Sequence, residues 1–463
     1  MKSNKFEIVS PIDSAVYAER SYASDSEIRD AVLSANKAKK DWKKVPLTER
    51  ITKIRKVIDY FKANVDQMAM EITQQMGRPI AYTPFEIKGG FVERAETMIA
   101  LAEEALQNIE LPEKTGFTRF IKKEPLGVVL VLAPWNYPYL TSVNAIIPAI
   151  LAGNTVILKH ADQTAICAER YQAAFDEADF PEGVFQAIHM NHDQVTEVLH
   201  DKMIDYVAFT GSEQGGKAIS AAAANSFMPV GLELGGKDPA YVCADAPLHY
   251  AIENLVDGAF FNSGQSCCGI ERIYVDAKVY DDFIDGFVNL TKKYSVGNPL
   301  LPTTTLGPLV RKRNAEEVLK QIEEAEKKGA KKLISEDFFS SQQIPYLNPQ
   351  VLVNVDHSMR VMQQETFGPC VGIMSVENEQ QALALMNDSK YGLTASIWTS
   401  DQEKAMRIGE DIDTGTWFMN RCDYLDPELA WTGIRNSGHG VTLSSLGYNH
   451  LTRPKSFHLK TIK

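Results

Sequence analysis

Along the first hundred residues, apolar side chains recur at three- and four-residue intervals, the spacing of one helix face. Ser24-Asp25-Ser26-Glu27 reads as a capping box that opens a helix running to about Trp42. Ile51, Ile54, Ile58, Phe61, Val65, Met68 and Ile72 line one side of a second, longer helix, which Gly77-Arg78-Pro79 stops. A third helical stretch covers roughly residues 87–106. From residue 127 the texture changes. A continuous apolar run at 128–133 and short strand-like runs at 155–158, 184–188 and 206–209 alternate with helical segments, the pattern of strands buried on both faces of a parallel sheet. A second alternating block begins near Lys237. It has strand-like runs at 239–243, 270–276, 350–354, 371–375 and 394–398, and helices at about 247–261, 277–294, 313–328 and 377–389. The tail, 455–462, alternates like a strand beyond both cores, to be paired with another subunit or frayed in solvent.

At 463 residues the chain exceeds one ordinary core, and 44% hydrophobic with 23% charged residues is a globular composition able to bury large ones. A net charge of −12 argues against nucleic acid or an anionic membrane as partner, since both select a positive surface. No apolar run reaches the roughly 18 residues of a membrane span, and residues 1–7 lack the apolar stretch of a signal peptide. Cys167, Cys243, Cys267, Cys268, Cys370 and Cys422 have neither disulfide-framework nor zinc spacing. His189-Met190-Asn191-His192 has no third ligand nearby and reads as a loop. The expectation is a cytoplasmic, reduced protein that holds no metal.

Chemistry enters with Phe261-Asn262-Ser263-Gly264-Gln265-Ser266-Cys267-Cys268, which sets two thiols after a glycine-containing turn. Glu233, 34 residues before Cys267 (267 − 233), opens the run Glu233-Leu234-Gly235-Gly236-Lys237. A thiol on a turn is open to substrate, and a carboxylate near it activates water or relays a proton. Alone, such a pair reads more readily as two small hydrophobes filling core. A doubly wound sheet invites a nucleotide site, yet no Gly-x-Gly-x-x-Gly follows the first strand. Phe209-Thr210-Gly211-Ser212-Glu213-Gln214-Gly215-Gly216 instead ends a strand and opens a helix. There Gly211 permits the turn, Ser212 caps the helix or binds phosphate, and the helix start attracts an anion. Lys159 leaves a strand end where ribose or phosphate would lie, or is merely solvated. In Ala133-Pro134-Trp135-Asn136-Tyr137-Pro138 the prolines stiffen a loop whose Asn136 amide can donate to an oxyanion or close a local Asx turn. Gln364-Glu365-Thr366-Phe367-Gly368-Pro369 offers a carboxylate for a ribose diol and an aromatic for a flat ring, or only a tight turn.

In order, Pro134-Trp135-Asn136, Lys159, the turn at 211–216, Glu233-Leu234-Gly235-Gly236-Lys237, Asn262-x-Gly264-Gln265-x-Cys267 and Glu365-Thr366-Phe367-Gly368-Pro369 resemble the aldehyde dehydrogenase superfamily over nearly the whole chain. The resemblance implies an α/β fold with two doubly wound domains. These are a cofactor-binding one (1–113 and 130–235) and a catalytic one (236–440), beside a small β-strand oligomerisation platform (114–129 and 441–463) that gives homodimers or homotetramers. It implies that Cys267 attacks an aldehyde, that the Asn136 amide and the Cys267 N–H hold the oxyanion, and that Glu233 activates the water that releases the acid. Lys159 and Glu365 become ribose partners, Phe367 a packing surface for nicotinamide, and Trp135 and Ser212 contacts of the adenosine ribose and pyrophosphate. Gly211, Gly216 and Leu234 complete that cofactor set. Asp162 stands where members that prefer NAD commonly carry Glu, so NAD is expected and NADP is possible. The presence of Glu233 favours a free acid over acyl transfer to coenzyme A. Cys268 receives no role, beyond a reversible disulfide with Cys267 under oxidation.

The substrate is less defined. Eight residues after Asn136, succinate-semialdehyde enzymes of the superfamily place Arg and betaine-aldehyde types Trp, whereas this chain has Asn144. Tyr137, Tyr139, Ser266 and 423–425 are expected along an entrance tunnel and suggest an aliphatic or aromatic aldehyde. Arg421 offers a charge for a semialdehyde. A catalytically silent binding protein is the alternative from another class, and the joint presence of Cys267, Glu233 and Asn136 argues against it.

Overall fold

The computed structural model describes residues 4–335, 338–339 and 343–462. Its first large sheet has six strands in the order Gly438–His439, Val230–Glu233, Tyr206–Thr210, Val128–Ala133, Thr155–His160 and Phe185–Ala187. All pairs are parallel except that of Gly438–His439. Alternate side chains of Val128–Ala133 enter opposite cores, as a strand's two-residue period requires. Val129 and Val131 belong to one core with Ile54, Ile146 and Phe175, while Val128 and Leu130 belong to another with Ile28, Val195 and Ile219. This double burial is why the run reads as continuously apolar.

The second sheet runs Lys331–Lys332, Gln350–Val353, Cys370–Val376, Ile270–Asp276, Asp238–Val242, Thr394–Trp398 and Thr416–Met419, parallel except at Lys331–Lys332. It too is buried on both faces: Ala240 and Val242 pack one way, Tyr241 and Cys243 the other. A third, antiparallel sheet joins Ile109–Glu110, Phe117–Pro125 and Thr452–Lys460. The tail thus has a partner within its own chain, in register from Thr452 opposite Pro125 to Lys460 opposite Phe117.

Several expectations need correction. Residues before Ser24 form a hairpin, Lys5–Val9 with Val16–Ser21, not helix. Only Phe6 and Ile8 of it face the core, too few for a period to show. The long second helix is two, Leu47–Ala63 and Val65–Met76, broken at Asn64 with φ −112° and ψ 20°. Ile58, Val65 and Ile72 enter one core across the break, so the apolar spacing carries no trace of it. The third stretch begins with a π-helical turn, Glu86–Phe91, before Val92–Ala105. The expected domain ends also shift. Ile109–Glu110 pairs into the small sheet, Val128 begins the six-stranded one, and Gly438–His439 returns to it from the C-terminal run. The capping box at Ser24 forms as expected. Asn191 makes another, so His189 to His192 is a helix start. Among the described residues, no helix is long and apolar enough to cross a membrane.

Candidate active site

Val128–Ala133, Thr155–His160 and Tyr206–Thr210 are adjacent and parallel, so the segments that follow them leave the sheet along one edge. Ligands of such sheets bind beyond that edge. Trp135 and Asn136 follow the first strand, Lys159 and Asp162 the second, Gly211 and Ser212 the third. Ser212 caps Glu213–Ala223, its side chain accepting from the Gly215 N–H at 3.2 Å. Gly216, in that helix, lies against Leu234. Lys159, nearly buried, donates through Nζ to Asp162 Oδ1 at 3.0 Å. Tyr22 donates its hydroxyl to the other oxygen, Oδ2, at 2.7 Å. Tyr22 lies just after the hairpin, 140 residues away in sequence (162 − 22), and no local pattern announces that contact.

The loop 364–369 comes from the second sheet and is clamped from below. Glu271 accepts the backbone N–H groups of Thr366 and Phe367, at 2.9 Å each to the nearer oxygen. Buried Lys237 donates to Glu271 Oε2 at 2.5 Å and to Thr366 Oγ1 at 2.9 Å. Phe367, thus held, meets Trp135 edge to face, 5.5 Å between ring centroids and 79° between planes. Glu365, on the same loop as Phe367, is half-buried, with its Oε1 atom shielded from solvent. Its Oε1 has no hydrogen-bond partner, and burial pushes the carboxyl up to about 8. A buried oxygen without a donor costs free energy, so this carboxyl fits a polar ligand at the edge where Trp135 and Phe367 meet.

Glu233 ends its strand. Its Oε2 accepts from Thr210 Oγ1 at 3.2 Å, and its Oε1 from Thr442 Oγ1. Burial raises its pKa above the ordinary carboxylate value. The glycines after it permit two close approaches. A Cβ on Gly235 would lie 1.8 Å from Glu365 Oε1, and one on Gly236 would lie 3.0 Å from the Cys267 carbonyl oxygen. The short run from Glu233 to Lys237 therefore touches both other motifs.

Cys267 sits where helix Leu248–Phe260 turns into strand Ile270–Asp276. Asn262 and Ser263 are left-handed, φ 52° and 57°, and Gly264 continues at 70°. Non-glycine residues in that region cost free energy and persist only where their surroundings hold them. Here Asn262 Nδ2 donates to the carbonyls of Asn136 at 3.3 Å and Gln265 at 3.2 Å. Asn136 Nδ2 in turn donates to the Gln265 carbonyl at 3.3 Å, which ties the two loops together. Ser266 and Cys268, on either side of Cys267, both donate to buried Asp423 Oδ1, at 2.7 and 3.1 Å. Adjacent Cys267 and burial hold the Cys268 thiol well above its usual range. Cys268 is buried and engaged, and Cys267 is left half-buried.

Cys267 and Glu233 line one cavity of about 400 Å³. Tyr137, Ser266, Asp423, Tyr424 and Leu425 also line it; Tyr139 and Arg421 do not. Sequence reasoning missed Tyr22, Arg94, Thr210, Glu271 and Thr442 as members of this neighbourhood, and it placed Asp423 along the tunnel without its bonds to Ser266 and Cys268. Glu271, at a β-strand's second position, had one legible sign: a charge inside an apolar run.

Residues 1–457 match the family model described as "Aldehyde dehydrogenase family". A protein named "Succinate-semialdehyde dehydrogenase [NADP(+)] 1" from Mycobacterium tuberculosis is 32% identical over 94% of this chain and 95% of its own. The structure of succinic semialdehyde dehydrogenase from Streptococcus pyogenes with NADP+ superposes with a TM-score of 0.93 at 29% identity, over 98% of this chain and 100% of that one. Betaine aldehyde dehydrogenase from Staphylococcus aureus with NAD+ also gives 0.93, at 28% identity over 99% and 92%. With a family match across nearly its whole length and a relative 32% identical over 94% of it, the chain belongs to the aldehyde dehydrogenase family.

Proposed function

We propose that the chain oxidises an aldehyde to the carboxylic acid with NAD or NADP, with Cys267 as nucleophile. The observation that carries this reading is the half-buried Cys267 thiol, opening with the Glu233 carboxyl into one cavity. The Cys267 thiolate adds to the aldehyde carbon, and the oxygen's growing charge is met by the Asn136 amide and the Cys267 N–H. A bound nicotinamide would supply the hydride acceptor, and Cys267 would hold the oxidised carbon as an acyl-thioester. Glu233 takes a proton from water as the water attacks the thioester, and the thiolate leaves with the acid free.

For the cofactor we assign Lys159 and Glu365 to ribose hydroxyls, Phe367 to the nicotinamide end, and Trp135 and Ser212 to the adenosine ribose and pyrophosphate. Gly211, Gly216 and Leu234 shape that edge. Asp162 accepts from the adenosine ribose, but Lys159 and Tyr22 already engage its two oxygens. Its repulsion of a 2′-phosphate is thereby softened, which supports use of both cofactors. The six-stranded sheet forms the cofactor side, the seven-stranded sheet the catalytic side, and the three-stranded sheet the oligomer contact. A short aldehyde with a second charged group is the narrower reading. The test is NAD(P)H formation at 340 nm across neutral, anionic and cationic aldehydes: wild type gives a signal that Cys267→Ala lacks. Turnover surviving in Cys267→Ala contradicts the mechanism.

A further inference from the structure

Arg94, on helix Val92–Ala105, reaches the same cavity as Cys267 and Glu233. It is 4% exposed. Its Nη1 donates to the Leu140 carbonyl and, at 3.2 Å, to Asn144 Oδ1, both on helix Pro138–Ala152. Among the described residues no carboxylate lies within ion-pair distance of it, and Nε and Nη2 donate to no protein group. Two other buried arginines are arranged otherwise. Arg78 pairs with Glu86, and Arg272 fills its fork with the Lys237, Leu385, Met386 and Asp388 carbonyls. Accepting from Arg94 also fixes the Asn144 amide, whose buried Nδ2 has no partner.

A guanidinium keeps its charge when buried, and a buried charge without a counter-ion is costly. The groups whose charge Arg94 feels are the Cys268 thiol, Glu233, the Cys267 thiol and Glu93. Glu233 is held by Thr210 and Thr442 rather than by Arg94. Four further carboxylates line the cavity: Glu86 is paired with Arg78, Glu93 and Asp257 are exposed to solvent, and Asp423 already accepts from Ser266 and Cys268. The missing anion is therefore most simply supplied by what enters the cavity.

We propose that Arg94, oriented by Asn144, is the substrate's anion anchor, and that the preferred substrate is a short aldehyde carrying a carboxylate at its far end. This rests on the aldehyde dehydrogenase reading. Its guanidinium comes from a different helix than position 144, where the sequence has Asn. The fork geometry suits two-pronged binding of a carboxylate, which a lone ammonium would not reproduce.

The test compares 4-oxobutanoate, butanal and 4-(trimethylammonio)butanal as substrates for wild type, Arg94→Gln, Arg94→Lys and Asn144→Ala. Wild type prefers 4-oxobutanoate. In Arg94→Gln, kcat/KM for it falls on the order of 10²-fold, mostly through KM, while butanal changes less than about threefold. Arg94→Lys recovers part of the loss. Equal losses for 4-oxobutanoate and butanal would make Arg94 a brace between helices, and preference for the cation would give the cavity to Asp257 and Asp423; either overturns the proposal. Calorimetric titration with succinate reads the same site without turnover: binding in wild type and not in Arg94→Gln supports the anchor, and no binding in wild type contradicts it. Turnover of butanal alone leaves the enzymatic reading standing while this one fails. Should Arg94→Gln not fold, the ratio between substrates in Asn144→Ala and Arg94→Lys decides.

Discussion

Glu233 shows what a few ångströms of environment do to one side chain. Two threonine hydroxyls hold its carboxyl while burial lifts its pKa. To take a proton from water it must first be ionised, so kcat falls as pH drops through that raised value, above the ordinary carboxyl range. Glu233→Gln should lower steady-state kcat by about 10²–10⁴-fold and abolish this acidic limb, measured as a kcat–pH profile. A profile unchanged in the variant would remove Glu233 from the rate-limiting proton transfer. At this scale much was legible. Cys267, Glu233 and Asn136 could be named because they stand in short runs whose spacing is itself distinctive. Thr442 could not: it is an ordinary residue in an ordinary loop, brought in by folding from 209 positions away.

Among the elements, the clamp under the loop 364–369 is the most exacting. Lys237 on one segment, Glu271 on a neighbouring strand and Thr366 on the loop form a buried ionic and hydrogen-bonded group. Removing one partner leaves the other charge stranded, at a cost of about 3–5 kcal/mol, whereas replacing both with apolar residues costs much less. Glu271→Leu should therefore be far less stable to denaturant than the Lys237→Met, Glu271→Leu pair. Both should bind cofactor more weakly, since Phe367 is no longer held. Equal stability of single and double variants would mean that the pair is screened by water. The strands of both large sheets were legible because double burial makes them unbroken apolar runs. The hairpin 5–21 and the break at Asn64 were not. The hairpin places only two side chains in the core, and the helices around Asn64 keep one apolar face across it.

For the whole molecule, the open edges matter most. Thr452–Lys460 pairs on one side only, with Phe117–Pro125, and Thr416–Met419 ends the seven-stranded sheet. Long unpaired edges invite a strand from a second copy. Light scattering should give a homo-oligomer, and removing residues 452–463 should shift it toward monomer. A wild-type monomer at micromolar concentration would contradict the third sheet's proposed role. The residues of the tail showed a strand, and only the family resemblance grouped it with 114–129, because a partner as distant as Pro125 is from Thr452 leaves no local sign.

The central claim is that Cys267 carries the acyl group, and it is tested most directly by intact-protein and peptide mass spectrometry of Glu233→Gln mixed with cofactor and an aldehyde. The account predicts one acyl adduct per subunit, on the peptide containing Cys267, formed together with a burst of one reduced cofactor. A full burst with no adduct, or an adduct on Cys268 in place of Cys267, would contradict it.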